Sequence, residues 1–264
     1  MLINVDNVSF RYDEGYEAVK NVSFNVKKGE TLAVIGQNGA GKTTMMKMLN
    51  GLFKPSKGKI LIDGNDTKGM TTAKLARTIA YVFQNPDDQI FHDIVYEEIM
   101  FGPKNLGFPE SKQKQLVKEA IQMTKVEDLI NLHPYEIPYS TRKFITIASV
   151  IAMDPDVIIL DEPTAGQDDG AIELLGEIVK TLKSKGKSVI VITHDMEYVV
   201  ENYDRTIVMA NKEKIFDGKT SDVFTNIELL NKANLEQPEI MKLAFELGIK
   251  EPIYKPQQLL DRIK

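Results

Sequence analysis

The chain has 264 residues, 42% of them hydrophobic and 27% charged, with no cysteine and a formal net charge of −5. Disulfides and thiolate metal sites are excluded, and an acidic balance gives no broad electrostatic reason to bind nucleic acid. No apolar run approaches the ~18 residues a membrane helix needs, and MLINVDNVSF at the start is not a signal-peptide pattern, so the chain is expected to be soluble, with any membrane role exercised through a partner.

The first 35 residues read as strands: INVDNVSF and NVSFNV alternate, and TLAVIG is an apolar run ending in glycine. GQNGAGKT, Gly36 to Thr43, follows directly. It has the phosphate-loop spacing of Gly, four residues, then Gly-Lys-Thr, and the required context of a strand before it and a predicted helix, Lys42 to Leu49, after it. Its glycines let backbone N–H groups wrap a phosphate, and the helix N-terminus adds its positive dipole end. Gly36, Gln37, Asn38, Gly39, Ala40, Gly41, Lys42, Thr43 and Thr44 are therefore the candidate phosphate-binding residues. Lys42 is expected to reach the β- and γ-phosphates, and the Thr43 hydroxyl to bind Mg²⁺.

Further strands are predicted near KILIDG and at residues 79–84, IAYVFQ. Residues 92 to 152 change to helical periodicity, as in SKQKQLVKEAIQMT, and read as a subdomain inserted into an α/β core. Buried parallel strands return at 156–161, DVIILD, and 187–193, KSVIVIT, with a helix between them. VIILDE places two carboxylates at the C-terminal edge of a strand, where ligands sit in open α/β sheets. Asp161 is the expected Mg²⁺ carboxylate, and Glu162 is placed to polarise an attacking water. RTIVMA and KIFDG form a late hairpin, and from about Thr225 the chain is helical, with Ile240, Met241, Ala244 and Phe245 at helical spacing.

On these motifs the chain resembles the nucleotide-binding subunit of an ABC (ATP-binding cassette) transporter, over about Leu2 to Val223. The resemblance implies a P-loop NTPase of ABC type: an α/β fold with a mixed core sheet, an antiparallel β subdomain, an inserted helical subdomain at about 86–153 and a C-terminal helical extension. Residues 1–224 would be the cassette and 225–264 the extension, a possible dimer contact. It further implies ATP and Mg²⁺ as cofactors, Tyr12 stacking on adenine, Gln84 sensing Mg²⁺ and the attacking water, Asp168 crossing the dimer, and His194 touching the γ-phosphate. Each has a plainer alternative: Tyr12 as a packed strand-end aromatic, Gln84 as a loop residue, Asp168 as the cap of a helix starting near Asp169, His194 as a structural histidine.

Residues 83–107, FQNPDDQIFHDIVYEEIMFGPKNLG, are similar to the ATPases of energy-coupling-factor (ECF) transporters, including cobalt and nickel importers. That likeness implies a peripheral protein on the cytoplasmic face of the membrane. Its partners would be a second ABC ATPase, a transmembrane scaffold and a substrate-capture membrane subunit, with no nucleic acid. Ile90, Phe91, Ile94 and Val95 would line a groove for the scaffold; the plainer alternative is that this helix packs its apolar face on its own core. A non-hydrolysing regulatory module and a soluble ATPase acting on nucleic acid remain as other classes.

One segment departs from the family. Where members read close to E-L-S-G-G-Q-K-Q-R, the ungapped register gives E-I-P-Y-S-T-R-K-F, with Pro138, Tyr139 and Ser140 on the serine and the two glycines. A two-residue slip would put Ser140 on the serine but needs an insertion in a helix. In such dimers this segment serves the partner's γ-phosphate. Pro138 has neither hydroxyl nor N–H, and Tyr139 crowds a close backbone approach. Losing two donors to a charged group costs roughly 3–6 kcal/mol. The expectation is a heterodimer with one good and one weak site, a homodimer being possible but doubly impaired.

Overall fold

Three five-residue runs, TLAVI, VIILD and SVIVI, are buried along their whole length. Strands covered on both faces have no polar side to show, so they read as continuous apolar runs. The computed structural model describes residues 1–249, 253, 254 and 256–263.

In chain order the strands are β1 (Ile3–Arg11), β2 (Glu17–Val26), β3 (Thr31–Ile35), β4 (Lys57–Ile62), β5 (Asn65–Asp66), β6 (Ile79–Val82), β7 (Val157–Asp161), β8 (Ser188–Ile192), β9 (Arg205–Ala210) and β10 (Glu213–Lys219). The helices are α1 (Lys42–Leu49), α2 (Thr72–Leu75), α3 (Val95–Asn105), α4 (Glu110–Thr124), α5 (Tyr139–Ala152), α6 (Asp169–Ser184), α7 (Met196–Asn202), α8 (Thr220–Thr225), α9 (Ile227–Ala233), α10 (Glu239–Glu246) and α11 (Pro256–Ile263). One sheet is antiparallel, in the order β2-β1-β4-β5. The other runs β10-β9-β3-β8-β7-β6, parallel except for β10 against β9. The mixed core sheet and the antiparallel subdomain are thus as the family resemblance implies. No helix among the described residues is long and apolar enough to cross a membrane.

Alternation along the central strands divides the core in two. Leu32, Val34, Ile159 and Ile190 face the antiparallel sheet and α1, with Met45 and Met46. Ala33, Ile35, Ile158 and Leu160 face the helical side, where they join Ile145 and Ile147 of α5 and Leu175 and Ile178 of α6. Helices α3, α4 and α5 pack on one another as the inserted block. In the tail, Met241 enters the main core and Ala244 a small cluster with Ile253 and Leu259, while Phe245 stays exposed. Asn234 Nδ2 donates to Gln37 Oε1 at 2.9 Å, which ties the start of that tail to the phosphate loop.

The carboxyl ends of β3, β6, β7 and β8 carry the loop, Gln84, Asp161 and His194, the place where open α/β sheets hold ligands. Because Ile159 is fully buried in β7, Ile159→Ala should destabilise the fold by about 2–5 kcal/mol, read as a lowered urea midpoint.

Candidate nucleotide site

The loop between β3 and α1 works only with glycine at two of its positions. A Cβ on Gly36, at φ +151°, would sit 2.2 Å from the Met209 carbonyl oxygen, and one on Gly41, at φ +95°, 2.3 Å from that of Ala18. Gly41 also starts α1 and supplies no side-chain cap. An α-helix leaves its first N–H groups without intrahelical partners, so this start is suited to an anion. The Lys42 ammonium donates to the carbonyls of Gly36 at 2.6 Å and Gln37 at 3.2 Å. Burial pushes the Lys42 pKa down, with Glu162 and Asp161 opposing that shift.

A cavity of 240 Å³ opens over this helix start, lined by Asn38, Gly39, Ala40, Gly41, Lys42, Thr43, Thr44, Gln84, Glu162 and His194. Most of the residues singled out from the sequence therefore converge. Asp161 lies behind them: its Oδ1 accepts from Thr43 Oγ1 at 3.4 Å and its Oδ2 from the Tyr81 hydroxyl at 2.5 Å. Burial raises the pKa of Asp161, and the Tyr81 hydrogen bond opposes the rise. Glu162 takes up left-handed backbone at φ +48°, a conformation that costs a non-glycine residue energy unless its surroundings impose it. They do so here: Glu162 N–H donates to Ile192 O at 2.8 Å, and its own carbonyl accepts from the buried Lys143 Nζ at 2.8 Å. Its Oε2 lies 2.8 Å from His194 Nδ1.

Tyr12 is half-exposed on the shoulder of the loop. Its hydroxyl is 3.0 Å from Thr44 Oγ1, and its ring packs edge-on against Phe10 and Phe53. It thus combines strand-end packing with a ring face near the site. Asp168 stands outside the cavity and caps α6, its Oδ1 accepting from Ala171 N at 2.8 Å. Pro138, Tyr139 and Ser140 also lie away from this chain's cavity, at the start of α5. Pro138 is the N-cap and no side chain caps the helix. Ser140 O accepts from Gln167 Nε2 at 3.1 Å, and the Tyr139 ring lies 5.5 Å from the Arg142 guanidinium.

The expected groove needs correction. Phe91 and Ile94 are exposed, but Ile90 and Val95 point into the core. Glu98, itself buried, accepts from the N–H groups of Phe91 and His92, and this holds the turn in which Phe91 and Ile94 face out while Ile90 and Val95 face in. The apolar groove lies further along α3. It has a volume of 510 Å³ and is bordered by Ala73, Ala76, Arg77, Phe101, Leu106 and Met153, and Phe91 packs edge-on against Phe101.

Two contributors went unread in the sequence, Tyr81 and Lys143. Both lie in runs whose periodicity says only "buried". A polar residue inside an apolar run was the one available signal.

Residues 19–165 match the ABC transporter family. The chain belongs to that family. A Pyrococcus furiosus protein named for ABC transporter ATP binding is 41% identical over 260 residues, 98% of both chains. The energy-coupling factor transporter ATP-binding protein EcfA of Methanocaldococcus jannaschii is 37% identical over 254 residues, 96% of this chain and 91% of that one. A Methanosarcina acetivorans relative is 42% identical over 92% of this chain, which spans only 40% of that longer protein. Among solved structures, CbiO1 from Clostridium perfringens, described as part of the ABC transporter complex CbiONQ, superposes with a TM-score of 0.79 at 32% identity, over 94% of this chain and 99% of that one. The cassette MJ0796, solved as a dimer bound to ADP and Pi, gives a TM-score of 0.75 at 26% identity, over 83% and 99%. As a member, the chain is an ATP-binding ABC ATPase, of the class that dimerises and couples hydrolysis to transport through membrane subunits.

Gly41→Ala must move either the loop or Ala18. It should weaken ATP at least about tenfold by calorimetry, the loss of roughly one hydrogen bond to a charged group, while leaving the far-UV spectrum intact.

Proposed function

We propose that this ABC ATPase hydrolyses Mg²⁺·ATP at the β3–α1 cavity to drive an importer of the ECF type, for a vitamin or a transition-metal ion, from the cytoplasmic face of the membrane. The observation that carries the reading is the convergence of Lys42, Thr43, Gln84, Glu162 and His194 on one cavity, with Asp161 against Thr43. The names of EcfA and the CbiONQ complex support the transporter type.

The residues fit Mg²⁺. Asp161 and Thr43 offer two hard oxygens, and Mg²⁺ is usually held by one or two protein groups plus substrate phosphates and water. Among the described residues no cluster of three or more His, Cys, Asp or Glu is present to hold a metal, which suits that sparse mode. Bound there, the ion would neutralise charge on the β- and γ-phosphates. The chain's own groups do the rest. The first-turn N–H groups of α1 and the Lys42 ammonium bind phosphate oxygens. Glu162, oriented by its backbone clamp and by His194, accepts a hydrogen bond from the attacking water and aims its lone pair at the γ-phosphorus. The exposed Gln84 closes the water's side of the cavity. Tyr12 presents a ring face to the base.

The second part of the proposal is a lopsided pair. This chain gives a complete phosphate-loop half to one composite site and a poor donor segment, Pro138-Tyr139-Ser140, to the other. Support comes from α5, which runs without interruption from Tyr139 with Pro138 as its cap. An inserted pair of residues has no place in that helix. The groove around Phe101 is the surface we assign to the membrane scaffold.

Glu162→Gln keeps the shape and removes the base. Turnover at this chain's site should fall at least about a hundredfold, the usual contribution of a general base, with ATP affinity kept. Near-normal single-turnover hydrolysis would remove Glu162 from the mechanism.

Replacing Pro138, Tyr139 and Ser140 by Ser, Gly and Gly restores donors and close approach. Homodimer ATPase should rise at least about tenfold, a low bound for bonds worth roughly 1.5–3 kcal/mol each. In the natural pair the gain should persist beside Lys42→Ala, because the two changes sit in different composite sites. A fall in homodimer activity would mean that Ser140 is the working phosphate ligand and that the pair is not lopsided in this way.

A further inference from the structure

We infer that Tyr81 is a positioning residue for the metal carboxylate: its hydroxyl holds Asp161 in the orientation that presents the other carboxylate oxygen to Thr43 and the ion. The inference rests on reading Asp161 as the Mg²⁺ carboxylate.

Tyr81 and Asp161 come from neighbouring parallel strands, with Tyr81 paired to Ile159 and Val82 to Leu160. The pleat turns the Tyr81 ring toward the α1 side of the sheet, into the core beside Phe83. From there its hydroxyl reaches Asp161 Oδ2 at 2.5 Å, while Oδ1 meets Thr43 Oγ1 at 3.4 Å. Both side chains are buried. A terminal carboxylate torsion is soft and roughly two-fold, so an unrestrained carboxylate can turn either oxygen, or its edge, toward a cation. One short bond to Oδ2 removes that freedom. It also selects Oδ1 as the free acceptor, on the side of Thr43.

The ring alone satisfies the packing, and phenylalanine would fill the same volume. The hydroxyl is buried and aims at one acceptor. Removing such an outer-shell partner typically weakens metal affinity by about ten to a hundredfold, and we expect the lower end, because Thr43 still holds Oδ1.

The test is Tyr81→Phe in the full chain, with Mn²⁺ as a paramagnetic reporter and a non-hydrolysable ATP analogue. Mn²⁺ dissociation from the protein–nucleotide complex is followed by electron paramagnetic resonance, nucleotide affinity in EDTA by calorimetry, and folding by thermal melting. Asp161→Asn is the reference variant. The expected result is Mn²⁺ bound about tenfold more weakly by Tyr81→Phe, with nucleotide affinity in EDTA unchanged. If Asp161→Asn weakens Mn²⁺ and Tyr81→Phe does not, the positioning role is overturned and the metal assignment stands. If Tyr81→Phe weakens the nucleotide equally with and without metal, the hydroxyl serves the fold alone and the inference is also overturned. If Asp161→Asn leaves Mn²⁺ binding unchanged, the metal assignment itself fails and takes this inference with it.

Discussion

Asp161 and Glu162 follow one another at the end of a buried strand, and two adjacent carboxylates in a low-dielectric setting repel each other and resist losing their water. Much of the architecture answers that constraint. Two buried lysines flank the pair: Lys42 from the phosphate loop and Lys143 from α5. Burial lowers the pKa of each lysine, and Glu162 and Asp161 push both back up. Fixed donors complete the arrangement, Tyr81 and Thr43 on Asp161 and His194 against Glu162. The left-handed turn at Glu162 sends the second acid into the cavity while the first remains behind Thr43.

Lys143 makes this balance a link between the two halves of the chain. It belongs to the helix that presents the departed signature segment, and its ammonium grips the carbonyls of Glu162 and Ala165, at 2.8 and 3.1 Å. Gln167 reaches from the same turn to the Ser140 carbonyl. The start of α5 and the segment that places Glu162 are thus fastened together by side chain to backbone bonds. The Gln167 bond goes to Ser140, itself part of the altered segment.

How much of this was legible in the sequence follows from how local each signal is. The phosphate loop and the VIILDE strand are contiguous, with a strand or helix on each side to check them, and the strands and helices were found where hydrophobic periodicity placed them. Asp168 was readable both ways, and within one chain its cap to Ala171 is what the structure displays. Tyr81 and Lys143 were hidden because periodicity reports burial and is silent on which polar atom a buried side chain meets across the sheet. The groove was misplaced for a related reason. The likeness to ECF ATPases implies that Ile90, Phe91, Ile94 and Val95 line it together, but α3 begins only at Val95 and the preceding turn is held by Glu98.

Whether Pro138-Tyr139-Ser140 is decay or design can be argued from what surrounds it. Decay would leave the altered residues without partners. Here Pro138 sits at φ −53°, close to the angle its ring imposes, so it starts α5 without strain. The Tyr139 hydroxyl lies 3.4 Å from Asn85 Oδ1, on the turn that follows Gln84. Arg142 packs between the rings of Tyr135 and Tyr139 and pairs with Asp87 at 2.6 Å. At exposed rings such as these, each cation–π contact is worth about 0.5–1 kcal/mol. The altered segment forms an unstrained start to α5 and an aromatic–arginine contact against the turn that follows Gln84. Those contacts give each altered residue a place in the fold of this chain.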